Sequence, residues 1–210
     1  MYKKQMTFQK IVCLISLLAG ALMFVYALGM MTDLYDALYS TMRNPYDLTQ
    51  TSVPGSSLYY EMQGYETTAD GFVQTNNGFC RNFLHLSIAI ILLGALLYVT
   101  NTHIRRKYYI GNYISVILYS VVSVITVIWA HLLLQGYRAK YLAIDFAALK
   151  EHAETRATYY TDSTFWFDIH YLVFAILLIA VALQIYNLIL KTNLMKEEAK
   201  LLAGAGRESA

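Results

Sequence analysis

Residues 108–137 read YYIGNYISVILYSVVSVITVIWAHLLLQGY, thirty consecutive positions without one Asp, Glu, Lys or Arg. An α-helix rises about 1.5 Å per residue, so about 20 apolar residues cross a hydrocarbon core of roughly 30 Å. The run is longer than a straight span requires, and three more charge-free runs accompany it: Ile11–Thr32, Asn82–Ile104 and Ile169–Leu190. The 210 residues are 57% hydrophobic and 14% charged, whereas an ordinary soluble domain carries roughly 25% charged residues. The expected fold is therefore all-α and integral to the membrane. It is an antiparallel bundle of four transmembrane helices at about 11–32, 82–102, 112–135 and 169–190.

Basic residues indicate the orientation, because Lys and Arg are retained on the cytoplasmic side. With both termini inside, the inner segments hold ten basic and three acidic residues, a net +7, and the outer loops hold six basic and eleven acidic residues, a net −5. The chain is thus expected N-in and C-in, with the plasma membrane as the natural default. The basic start followed by an apolar run also resembles a secretory signal. Its run is longer than the usual apolar core of one and no small-x-small site follows, so it reads as a retained first helix.

The inner segments are a ten-residue head, a hairpin at about 103–111 and a tail at 191–210. None reaches the roughly 50 residues a domain needs, which argues against a cytoplasmic kinase, nucleotide-binding or DNA-binding module. The string GAGRES in the tail lacks the strand and helix that a phosphate loop needs. The outer loops, about 33–81 and 136–168, are longer. Leu34, Leu38 and Met42 recur at helical spacing in the first, which then breaks at Asn44-Pro45 and at Val53-Pro54-Gly55. The rest of that loop is Gly, Thr and Tyr rich and is either irregular or a short hairpin. In the second loop, Leu142, Phe146, Leu149 and Ala153 form one stripe, predicting a helix that continues out of the third span over 138–156. The two loops together are expected to form a partly helical cap.

Three helices place a histidine at similar depth near the outer side: His85, His131 and His170, the last preceded by Asp168. Ionisable groups within a membrane usually face the bundle interior or a water-filled cavity. Imidazole is also the commonest metal ligand, so His85, His131, His170 and Asp168 are a candidate set for a transition metal such as zinc, copper or iron. The plainer reading is preferred: histidines bonded to carbonyls near helix ends, Asp168 favoured by the helix dipole, and Phe165, Trp166, Tyr171 and Trp129 forming an interfacial aromatic belt.

Helix faces supply a second set of candidates. Cys13, Ser16, Gly20 and Ala27 share one side of the first span, and Ser115, Tyr119, Ser123, Thr126 and Ala130 cluster on the third. Small residues let membrane helices approach closely, so Ser16, Gly20, Ala27, Ser123 and Thr126 read as packing positions. His170 and Gln184 share a face of the fourth helix with Asn187 to the side, and the two amides suit bonds between helices. Every Asp, Glu, Lys and Arg can be placed at or beyond a span end, so no charge pair marks an ion-coupled transporter. Cys13 and Cys80 lie at opposite ends of their spans and cannot pair within one chain.

Tyr35, Tyr39, Tyr59, Tyr60, Phe146 and Leu149 in the outer loops read as a partner-binding surface, since Tyr offers a flat face with a polar tip. No nucleophile elbow, HExxH, CxxC or CxxCH is present. The expected role is a small non-catalytic accessory or scaffold subunit of a larger membrane assembly, binding partners through its helix seams and outer cap, with lipid and other membrane subunits or further copies of itself as partners. The outer net charge argues against nucleic acid. Two alternatives stand beside it: a metal or redox site or enzyme built on the outer histidines, and an oligomeric channel or transporter using the Ser and Thr face of the third helix.

Overall fold

The computed structural model describes residues 2–31, 62, 65–68, 71–74, 78–102, 109–143, 147 and 163–208. The described residues are almost all helical. Helices α1 (Tyr2–Gly29), α2 (Phe79–Thr102), α3 (Tyr109–Leu142), α4 (Phe165–Asp168) and α5 (His170–Glu208) are joined by one hairpin, β1 (Tyr65–Thr68) with β2 (Gly71–Gln74). Four stretches are long and apolar enough to cross a membrane: Lys4–Gly29, Phe79–Asn101, Asn112–Leu142 and Phe165–Leu201.

Helix ends depart from the expected spans. Helix α1 begins at Tyr2 and α5 runs on to Glu208, so the head and tail extend helices. Their Lys, Glu, Gln, Ala and Leu residues are good helix formers and no Pro interrupts them. At the other end of α5, α4 is a single turn that leads into it almost without a break: Ile169 N–H donates to Phe165 O at 2.8 Å, and Val173 N–H to Ile169 O at 3.2 Å. Helix α3 continues unbroken to Leu142; beyond Ala143, residue 147 alone belongs to the described part of the predicted 138–156 helix.

Of the two readings of the Gly, Thr and Tyr rich part of the first long loop, the hairpin is the one found at 65–74, and it adds a small sheet to the otherwise helical described residues. Tyr65 pairs with Gln74, Glu66 with Val73, Thr67 with Phe72 and Thr68 with Gly71. Thr, Tyr, Phe and Val favour strands, while Asp70-Gly71 is a turn signal.

Burial is inverted relative to a soluble bundle. Ile11, Leu14, Leu18, Leu22 and Val25 recur along α1 as exposed residues, as do Leu92, Ile125, Leu132 and Ile179 on the other long helices. Meanwhile Gln5, Gln9, Ser16, Asn101, Asn112, Gln184 and Asn187 are buried. Apolar side chains facing outward on every long helix are what a hydrocarbon solvent stabilises.

The chain divides into two compact units. One comprises Met1–Ala21, Ala89–Val124 and Ala175–Ala210, and the other Leu22–Ile88 and Ile125–Phe174. In the first, α1 and α2 approach closely through two glycines. A Cβ on Gly94 would stand 3.3 Å from Leu17 Cα, and one on Gly20 would stand 3.2 Å from both Ile91 N and Ile91 Cγ1. Lipid provides no hydrophobic drive for helices to associate, so backbone contact of this kind carries much of the packing.

The second unit is built on rings. Phe79 stacks on Phe83 at 5.4 Å and tilts against Trp129 at 5.3 Å. Tyr26 meets Phe83 edge-on at 5.7 Å and donates its hydroxyl to Trp166 O at 2.8 Å. The Trp166 indole lies over Gly29, where any side chain would collide with it. Trp129 and Trp166 thus lie against neighbouring rings, while Phe165 and Tyr171 are exposed as a boundary belt requires.

Replacing Gly94 by Leu should lower stability by about 1–3 kcal/mol through overpacking against Leu17. Gly136, with nothing within 4 Å of an added Cβ, is the control: Gly136→Ala should be neutral or stabilising by up to about 1 kcal/mol. Thermal unfolding midpoints of the two variants in one mild detergent check the contrast.

Candidate functional site

In the second unit, α4 is anchored by Phe167, which is fully buried beneath the Tyr141 ring at 5.1 Å. This anchor sets the start of α5 and with it His170, also fully buried. His170 Nδ1 bonds to Phe167 O, and because a carbonyl only accepts, Nδ1 carries the hydrogen. A neutral His170 then has its lone pair on Nε2, which faces His131 Nδ1 at 3.0 Å, so His131 is the donor in a neutral pair. These tautomers follow from the partners. The bond cannot survive if both rings become cations, since each facing nitrogen would then carry a hydrogen.

Around the pair, Tyr171 lies 4.0 Å from the His170 ring and 5.7 Å from the His131 ring, and Phe174 meets His170 edge-on at 5.1 Å. Gln135 Nε2 donates to Tyr171 Oη at 2.6 Å. Asp168 is engaged elsewhere: Arg138 Nε donates to its Oδ1 at 3.0 Å and Thr164 Oγ1 to its Oδ2 at 2.5 Å. The carboxylate therefore ties the start of the fourth span to the end of α3, and both charged side chains remain substantially exposed.

Of the four residues read as metal ligands, His131 and His170 are brought together, Asp168 pairs with Arg138, and His85 is exposed on α2. Among the described residues no three His, Cys, Asp or Glu side chains stand close enough to hold a metal. The nitrogens that could turn to one cation are His131 Nδ1 and His170 Nε2. A zinc, copper or iron site on them would need its remaining ligands from other residue types or from beyond the described chain.

The first unit holds a different constellation, made of carboxamides. Gln5 Nε2 donates to Gln9 Oε1 at 3.0 Å and to Asn187 Oδ1 at 3.1 Å, and Gln9 Nε2 donates to Asn101 O at 2.6 Å. Asn101 Nδ2 reaches Cys13 Sγ at 3.1 Å, while Gln184 Nε2 donates to Ser16 Oγ at 2.8 Å. Tyr119 Oη donates to Ser16 O at 3.1 Å. Among the described residues no hydrogen-bond partner is found for Asn101 Oδ1, Gln184 Oε1, Asn187 Nδ2 or either amide atom of Asn112. A buried polar atom left unmatched costs about 1–3 kcal/mol, so this network sets helix register at some expense in stability.

All five residues read as packing positions, Ser16, Gly20, Ala27, Ser123 and Thr126, are buried. Because Ser123 and Thr126 are enclosed by the chain's own packing, a pore between copies would have to use another face of α3. The partner-surface residues Tyr35, Tyr39, Tyr59, Tyr60, Phe146 and Leu149 lie outside the described residues. Sequence reasoning missed Gly94 and most of the carboxamide network. Its available signal was the Gln5/Gln9 pair at i, i+4, which puts two amides on one face of a helix.

No family model, curated protein or solved structure matches the chain. Fold and composition define its class: it is an integral membrane protein with four helices long and apolar enough to cross the bilayer.

Arg138→Ala should cost about 1 kcal/mol or less, as expected for an exposed ion pair. His170→Ala removes a buried ring together with its bonds to His131 and Phe167 and should cost about 3 kcal/mol. Unfolding in detergent micelles, with both variants beside the parent, measures the difference.

Proposed function

We propose that the protein is a small non-catalytic subunit or scaffold of a larger membrane assembly, packing laterally through its outward apolar flanks. The observation that carries this reading is the neutrality of the interior. Among the described residues the buried polar side chains are Gln, Asn, Ser, Thr and His, and no Asp, Glu, Lys or Arg is buried. Ion-coupled transporters and proton pumps keep ionisable groups within the membrane, paired or facing a cavity. Here most of the buried polar groups bond to one another or to nearby backbone carbonyls, as helix-fixing contacts do. The charge distribution supports both termini on the cytoplasmic side and an acidic outer surface, with the Tyr-rich outer loops as the partner-facing part.

A second reading rests on the His131–His170 pair, which is suited to holding a proton or contributing two ligands to a metal. Native mass spectrometry of the protein extracted from its own membrane separates the two. Co-purifying polypeptides in fixed stoichiometry are expected. A lone chain carrying stoichiometric metal, lost in His131→Ala and His170→Ala, would refute the scaffold reading.

A further inference from the structure

We propose that the first turns of α1 form a binding site for an anionic phospholipid, with the headgroup phosphate at Lys4 and an acyl chain lying along the exposed stripe of the same helix. A shallow, open groove of about 420 Å³, closer to a surface face than to a cavity, is lined there by Lys4, Thr7, Phe8 and Ile11. The spacing i, i+3, i+4, i+7 puts all four on one helix face. Their chemistry is graded along that face, with an ammonium first, then a hydroxyl, then an aromatic ring, then an aliphatic chain. Phe8 makes an edge contact with Tyr186, the ring centroids 6.1 Å apart.

Depth agrees with this grading. The apolar stretch Lys4–Gly29 has 26 residues, about 39 Å of helix, close to the roughly 40–45 Å of a bilayer including its headgroup layers. With Gly29 at one boundary, Lys4 falls within the headgroup layer of the other. Below the groove, Ile11, Leu14, Leu18 and Leu22 continue the apolar face and are all exposed. From Ile11 to Leu22 is about 16 Å, close to the roughly 15 Å depth of one hydrocarbon leaflet. No acidic side chain stands in the first turn of α1 to compete for Lys4. The graded face distinguishes a lipid from a free anion, because inorganic phosphate would use Lys4 and leave the apolar groove unfilled.

The test uses the full chain in nanodiscs of equal parts phosphatidylglycerol and phosphatidylcholine, released into the mass spectrometer with bound lipid retained. Parent protein should retain phosphatidylglycerol over phosphatidylcholine by about fivefold, the ratio that about 1 kcal/mol per basic residue corresponds to. Lys4→Gln should abolish the preference, and Phe8→Ala should reduce total retained lipid. Lys10→Gln, an exposed lysine outside the groove, should leave both unchanged. Because Lys4 is itself exposed, its substitution leaves the interior packing intact. Equal retention of the two lipids by the parent, or an unchanged preference in Lys4→Gln, would overturn the proposal. So would displacement of the bound lipid by millimolar inorganic phosphate, which would show that the acyl stripe contributes nothing.

Discussion

Hydrocarbon offers no hydrogen-bond partner, so a polar group carried into the membrane is stabilised where it finds one within the protein, as most of the buried ones here do. That constraint organises the rest of the structure. It makes the long segments helical, because a helix satisfies its backbone internally, and it turns Gln5, Gln9, Asn101 and Gln184 inward while leucines and isoleucines face outward. The inversion also removes the hydrophobic effect as a reason for the helices to meet, since lipid tails are as apolar as leucine.

Two different chemistries answer that loss, one in each compact unit. Where α1 and α2 meet at Gly20 and Gly94, the backbones come close and dispersion acts over many atoms. Carboxamides then fix the register, with Gln5 reaching Asn187 and Gln184 reaching Ser16. In the other unit, large rings replace close backbones. Phe79, Phe83, Tyr26 and Phe174 fill the interior edge-on or stacked, and two hydrogen bonds, Tyr26 to Trp166 O and His131 to His170, supply direction. Amide networks and aromatic clusters differ in what they can do chemically. Among the described residues the second unit holds a pair of imidazoles bonded to each other, a group that the amide network does not contain.

Asp168 and His170 show how far the candidate site was legible. Their position at the start of an apolar run was plain, as was the similar depth of His85 and His131. Depth along a helix does not determine rotation about its axis, and rotation decides which side chains meet. The structure turns His131 and His170 toward one another, leaves His85 exposed, and gives Asp168 to Arg138 and Thr164. Trp166 is a similar case. An indole near a span end fits a boundary belt by composition, yet here it covers Gly29.

The sequence by itself determined that this chain is helical and built for a bilayer, because span length and the exclusion of charge are local properties of thirty or fewer consecutive residues. It also marked Ser16, Gly20, Ala27, Ser123 and Thr126 as small or hydroxylated positions on helix faces. Only the tertiary structure decided which residues become partners: Gly94 against Leu17, Gln5 with Asn187, His131 with His170. The reason is that helix rotation and register are set by pairwise packing between segments far apart in the chain. The same buried side chains are compatible with many arrangements until two surfaces are brought together.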